Sequence, residues 1–373
     1  MSDTIHVISL DALIETNNAD SVGRVDELAP PGLYCRRPPR GIDTADLDPD
    51  QLPWVHEIYN AGEQRYGAVR CTVLKDALIA GQGSVVTRDG WLVRDSAVEF
   101  LAHGATPDGF SAADYGALRL PPPCRRISTP VVLLKRPWWR NYGHWLIDSA
   151  ATLGLATRLR RPPSWTLVVG RQESPPMRQV VADTIACLAP GVPVLEHPDN
   201  EVWACDEVMY ISPLHIPPLF KHPEGLASLR AQLLRAELGA VQPARRLFVS
   251  RGLHPARRLD NEAELIAHAR QHGYEVVEPQ HLDLAGQARL FHGAASVVGV
   301  KGAALANLLF CPAGTACLVL SPGDFPDPFF WDLASHAGVA YGELFGRLTG
   351  RDRPQSHNSF TIDPARFADM LPR

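Results

Sequence analysis

Two stretches of this chain carry residue types at spacings that could do chemistry. The first is Asn141-Tyr142-Gly143-His144-Trp145-Leu146-Ile147-Asp148. His144 and Asp148 stand four residues apart, so a helix would set them on one face. Either could remove a proton from a hydroxyl, with the carboxylate orienting the imidazole. No metal is assigned to the pair, which lacks the Glu of H-E-x-x-H and any evident third ligand. On spacing alone, a capped helix holding a core histidine is the simpler account. The second stretch is Val297-Val298-Gly299-Val300-Lys301-Gly302-Ala303-Ala304-Leu305-Ala306-Asn307. It reads as a short apolar strand, a glycine-flanked turn with one lysine, and a small-residue helix. Gly299 and Gly302 let the backbone turn sharply and approach a ligand closely. The first N–H groups of the helix suit a phosphate, and Lys301 adds a point charge beside them. An ordinary βα turn has the same appearance.

Two further clusters extend these stretches. A strand from Leu247 to Ser250 runs into Arg251, a loop carrying Arg257 and Arg258, and then Asn261-Glu262 at a helix start. These guanidinium groups lie at the carboxyl end of one strand, the edge where the Lys301 turn emerges. Converging cations of this kind stabilise a departing diphosphate; a solvated basic loop is the plainer alternative. Arg136-Pro137-Trp138-Trp139-Arg140 places two indoles between two cations. That composition serves a sugar-stacking surface, a membrane interface or a loop anchor.

The elements that must position these residues fall into two patterns. Residues 1–60 read as irregular, rich in Asp, Pro and Arg. Between about 66 and 101, Val69 to Val73, Ala77 to Ala80, Ser84 to Thr87 and Trp91 to Val93 form short stretches that predict a β-meander. The segment from about 142 to 160 has helical spacing. Strands are expected at Val131 to Leu134, Trp165 to Gly170, Pro193 to Glu196 and Glu207 to Ile211, with helices at Met177 to Leu188 and Leu226 to Leu238. From Arg246 onward, strands at Leu247, Tyr274, Ser296, Ala316 and Val339 alternate with helices at Glu262, Leu284, Ala303 and Phe329. Strands separated by helices of about ten residues mean βαβ units and a parallel sheet, with ligands at the carboxyl ends.

Length and composition bound the rest. A chain of 373 residues points to two domains. A formal net charge of -5 argues against nucleic acid as the main partner. Seven cysteines without a C-x-x-C pair suggest reduced thiols in a reducing compartment. No signal peptide and no apolar run of membrane-spanning length is visible, so a cytoplasmic protein is expected, or a peripheral one at the inner face of the membrane. Composition sets no oligomeric state.

The ordered set of Asn141 to Asp148, Ser250-Arg251 with Arg257-Arg258-Leu259-Asp260-Asn261-Glu262, and Val298 to Phe310 resembles glycosyltransferase family 61. Supporting pieces are Val276-Val277-Glu278-Pro279, Pro312-Ala313-Gly314-Thr315 and Phe330-Trp331-Asp332-Leu333. The resemblance covers about residues 66 to 345. It implies an α/β, GT-B-like fold of two Rossmann-type domains facing a cleft, with the β-meander in the N-terminal part. Residues 1–240 would bind the acceptor, 241–345 the nucleotide sugar, and 346–373 would form a tail. The implied reaction is inverting, metal-independent transfer to a glycan or lipid-linked glycan in surface polysaccharide biosynthesis. No cofactor is implied beyond the donor substrate, with a UDP-sugar the first candidate. Asp148 or His144 would be the base. Arg251, Arg257, Arg258, Glu278, Lys301, Gly302, Ala303 and Asn307 would bind the donor, and Trp138, Trp139, Asn141 and Tyr142 the acceptor. Where the family usually carries His-Gly-Ala-Gly, this chain has Lys301-Gly302-Ala303-Ala304, which keeps a positive charge at the diphosphate. A non-catalytic nucleotide-sugar or glycan-binding module of the same fold is the alternative. A dinucleotide oxidoreductase fits poorly, because no strand is followed by G-x-G-x-x-G.

Overall fold

The computed structural model describes residues 6–16, 20–97, 120–159, 165–216, 220–235, 242–252, 256–353 and 357–372. The chain divides into two compact units, the first from residues 1–32 and 65–232, the second from 33–64 and 233–373.

The first unit is built on a mixed sheet. Its strands run in the spatial order His6–Ile8, Trp91–Val93, Ser84–Val86, Val69–Ala80, Val202–Ile211, Val131–Leu133, Thr166–Gly170 and Val194–His197. Trp91–Val93, Ser84–Val86 and Val69–Ala80 pair antiparallel and form the expected meander. Val69–Ala80 is one strand rather than two. Lys75 and Asp76, which fall between the two expected stretches, lie within it, and Asp76 takes a positive φ of 46° and accepts from Arg126 at 3.1 Å. Val131–Leu133, Thr166–Gly170 and Val194–His197 are parallel, with the helix Pro175–Leu188 between the last two. Leu74, Ile79, Val131, Leu133, Val168, Val208 and Tyr210 fill the core on one face. The helix expected over 142–160 is Tyr142–His144, a π-helical turn Trp145–Ala150, and Ala151–Ala156. The helix expected to end at Leu238 is described as Pro223–Arg235, and residues 236–238 lie outside the described residues.

The second unit carries the cleaner alternation. Strand Glu275–Val277 lies beside Arg245–Val249, followed by Ala294–Val300, Ala316–Pro322 and Ala340–Leu348, all parallel. Numbered along this unit from residue 245, the strand order is 2-1-3-4-5. That is the flavodoxin-like form of a doubly wound sheet, with its switch point between the first and third strands. Val297, Val298, Val300, Leu318, Val319 and Leu320 are all buried, as parallel strands covered on both faces require.

The expected boundaries differ from these units. Residues 33–64, placed with the N-terminal domain, give the second sheet a further parallel strand, Gly41–Asp43, and a helix, Leu52–Asn60. Arg36 and Asp332 fasten this segment through a fully buried ion pair at 2.6 Å. Nor are residues 346–373 a tail. Phe360–Thr361 pairs with Ala340–Leu348, and the helix Pro364–Met370 buries Phe367 against Leu265, Ala269 and Phe248. Both pieces escaped the periodicity reading because their strands have only three and two residues, and prolines at the helix starts leave short helices.

Candidate functional site

The expected base lies in the first unit. Asn141 caps the helix, its Oδ1 accepting from the backbone N–H of Gly143 at 2.8 Å. The π-turn that follows contains Asp148; such turns are rare and often mark functional positions. His144 Nδ1 is 2.9 Å from Asp148 Oδ2, so the pair expected from spacing is formed. A third member was missed. His215 Nδ1 lies 3.0 Å from Asp148 Oδ1, reaching it from the short strand His215–Ile216. It lies 67 residues from Asp148, and no local spacing could signal it. Burial alone would raise the Asp148 carboxyl, but His215 and the hydrogen bonds from both imidazoles offset this and hold it below the usual range. Burial lowers the His215 imidazole, with Asp148 opposing.

A third candidate ligand is therefore present, which the sequence did not show. One donor atom from each of His144, Asp148 and His215 lies within 4.8 Å of the others, so among the described residues these three could hold a cation. A small cavity beside the carboxylate is lined by Asp95, Arg136, Pro137, Pro213 and Leu214.

The tryptophans part company. Trp138 is 37 % exposed, holds a φ of 56°, and meets the His144 ring edge-on at 5.1 Å. A bulky residue in the left-handed region is strained, and such strain concentrates at functional sites. Trp139 is buried, with Arg140 over its ring at 4.3 Å and Lys135 at 5.6 Å. It also packs on Gly170, where any Cβ would sit 2.3 Å from the indole. Trp139 is placed as a packing residue, and Tyr142 and Asn141 sit at the helix start.

The expected donor residues lie at the carboxyl edge of the second sheet. Arg251 follows the first strand of that unit and Lys301 the third, so the two flank the switch point. Arg251 Nη1 donates to the Lys301 carbonyl at 3.0 Å and bridges the two loops. A Cβ on Gly302 would stand 1.7 Å from that nitrogen, so only glycine admits the guanidinium there. Burial and the nearby charge of Arg257 push Arg251 down to about 10. Arg257 is likewise lowered by burial, with Asp327 and Asp324 opposing; its φ of 55° repeats the strain seen at Trp138. Glu278 borders the same edge, its Oε2 3.0 Å from where a Gly252 Cβ would stand.

Three expected donor side chains are engaged within the fold instead. The Lys301 ammonium turns into the protein, 2.6 Å from Glu343 Oε1, and donates to the carbonyls of Phe325 at 3.1 Å and Asp327 at 3.0 Å. An ammonium has three protons, and three acceptors take them. Glu343 in turn accepts from Tyr341 at 2.8 Å, from Ser321 at 2.5 Å and from Tyr59. Asn307 is fully buried and bonds Gln287 Oε1 at 2.8 Å and the Ala304 carbonyl at 3.0 Å, fixing the helix that starts at Ala303. Arg258 is exposed and bonds Asp260 at 2.7 Å.

Residues 142–318 match the family model described as Glycosyltransferase 61. Over this stretch, just under half of the chain, the protein is similar to glycosyltransferase family 61. No curated protein matches the chain. The matched stretch opens at Tyr142 and includes His144, Asp148, His215, Arg251, Arg257 and Lys301; Glu343, which holds the Lys301 ammonium, lies beyond it. Among the described residues no helix is long and apolar enough to cross a membrane. None of the seven cysteines is in a disulfide, and burial pushes Cys71 and Cys205 up to about 12.

Proposed function

We propose that this protein is an inverting glycosyltransferase that moves a sugar from a nucleoside diphosphate to a hydroxyl of a glycan or lipid-linked glycan. The observation that carries the reading is the arginine pair at the switch point, inside the matched stretch, with Arg251 tied to the backbone of Lys301. Carboxyl ends of parallel strands at a switch point are where doubly wound sheets bind ligands. Guanidinium groups match phosphate oxygens, and their charge favours a leaving diphosphate.

In this reading the second unit binds the donor and the first supplies proton removal, the division of labour of a GT-B enzyme. The acceptor O–H gives its proton to the His144–Asp148 pair as its oxygen bonds the anomeric carbon. The bond from that carbon to the diphosphate breaks, and the diphosphate keeps the electron pair. Displacement from the opposite face inverts the anomeric centre. Arg251 and Arg257 supply the charge at the diphosphate, so donor binding is independent of a metal; Lys301 contributes through its carbonyl. A UDP-sugar is the first donor to try, and a surface polysaccharide intermediate at the inner face of the membrane the first acceptor.

A thermal-shift panel of nucleoside diphosphates, with and without EDTA, tests the reading. One diphosphate should raise the midpoint in both conditions. No stabilisation by any of them would remove the donor site. The Lys301–Glu343 pair favours one second reading, a binding module, because it withdraws from the edge the only cation of the glycine turn. That module would bind a nucleotide sugar without turning it over.

A further inference from the structure

Asp148 is held from two sides, and this distinguishes its role from that of His144. Its Oδ2 faces His144 Nδ1 at 2.9 Å and its Oδ1 faces His215 Nδ1 at 3.0 Å. An ionised carboxylate only accepts, so each ring carries a proton on Nδ1, and a neutral ring then has its lone pair on Nε2. We propose that His215 is a positioning residue, and that His144 rather than Asp148 takes the acceptor proton. The inference rests on the reading of this site as the proton-removing side of a glycosyl transfer.

Three features support the assignment. The His215 side chain is 2 % exposed and sits on a ribbon in which His215 pairs with Lys221, so its ring is fixed by the fold. Holding one oxygen of Asp148 stops the carboxylate rotating, and the other oxygen is thereby aimed at His144. The Asp148 backbone is pinned as well, its carbonyl accepting from Thr152 Oγ1 at 2.6 Å. The His144 side chain is 19 % exposed, the most open of the three, and lies against the exposed Trp138. A carboxylate with both oxygens engaged orients an imidazole well and receives a proton poorly. The same three residues could coordinate a cation. Each imidazole nevertheless addresses a separate oxygen at hydrogen-bond length, so the groups satisfy one another without one.

In the step this assigns, the acceptor O–H bond breaks and its proton passes to His144 Nε2. The freed oxygen forms the new bond to the anomeric carbon of the nucleotide sugar, and the departing diphosphate takes the electrons of the old one. The imidazolium left at His144 is stabilised by the Asp148 carboxylate until it releases its proton.

The test uses the full chain with nitrogen-15-labelled histidine, followed by nuclear magnetic resonance. In the native protein both His144 and His215 should be Nδ1–H tautomers. In His215→Leu, His144 should become a mixture of tautomers, and release of UDP from a panel of UDP-sugars should fall roughly tenfold or more, with the donor KM unchanged. His215→Asn, whose amide N–H can replace the lost donor, should restore both. An Nε2–H tautomer at either ring of the native protein overturns the proposal, as does an unchanged His144 in His215→Leu or zinc retained stoichiometrically through purification. If the tautomers behave as expected but no sugar nucleotide binds or turns over, the positioning stands and the base assignment falls with the transfer reading.

Discussion

The two chemical regions of this molecule are organised in opposite ways. Around Asp148 the fold gathers unlike groups that satisfy one another: one carboxylate and two imidazoles, each at a hydrogen-bond distance. At the edge of the second sheet two guanidiniums come close enough that Arg257 lowers Arg251 beyond what burial does alone, with Glu262 opposing at Arg251 and Asp327 and Asp324 at Arg257. A saturated anion holds its neighbours in place, which suits orientation of a base. Converging guanidiniums raise one another's free energy until an anion arrives, which suits binding of a diphosphate. Lys301 looks from the sequence like the cation of the anion site, but Glu343 neutralises it, and it serves the site through its carbonyl.

The contrast breaks first if the two regions do not separate in function. His144→Ala or Asp148→Asn should lower turnover by ~10²–10⁴-fold and leave nucleoside diphosphate affinity unaltered, read by steady-state kinetics beside calorimetry. Next in size is the Lys301 anchor. Glu343→Leu leaves a buried ammonium without its carboxylate and should cost about 3–5 kcal/mol in urea unfolding. Adding Lys301→Met should recover much of that loss, and no recovery would mean the pair is not the reason.

A third test concerns the buried lysine of the first unit. Lys135 shares Asp199 with Arg140, and burial brings it down to about 8 from an ordinary 10.5. Between those values the unfolded chain holds the proton and the folded one does not. Stability should therefore rise with pH from about 8 to 10.5, by at most about 1.4 kcal/mol per pH unit. Lys135→Met should flatten that rise. The smallest effect sharpens the picture of the edge. Gly302→Ala drives a methyl into Arg251 Nη1 and should weaken nucleotide binding roughly tenfold, much as loss of the arginine does.

The second sheet was legible because its central strands, Ala294–Val300 and Ala316–Pro322, are almost wholly apolar and its helices about ten residues long, so two periods alternate visibly. The His144–Asp148 pair was legible for the same local reason, a separation of four on a helix. What could not be read was set by distant partners. His215 reaches Asp148 from 67 residues away, and Glu343 captures Lys301 from the next strand but one. Asn307 and Trp139 have polar or aromatic character suited to ligands, yet Gln287, Ala304, Lys135 and Arg140 occupy them. Type and spacing report what a side chain can do, and packing decides which group it does it with.

Titration of UDP into the native protein, Arg251→Ala and Asp148→Asn by calorimetry tests the central claim most directly, with the exposed Arg258→Ala as a control. The arginine contact is charge-assisted and worth about 1.5–3 kcal/mol, so Arg251→Ala should weaken binding roughly tenfold or more. Asp148→Asn and Arg258→Ala should bind as the native protein does. Equal affinity in native protein and Arg251→Ala, or a comparable loss in Asp148→Asn, would contradict the division between a donor edge and a proton-handling site.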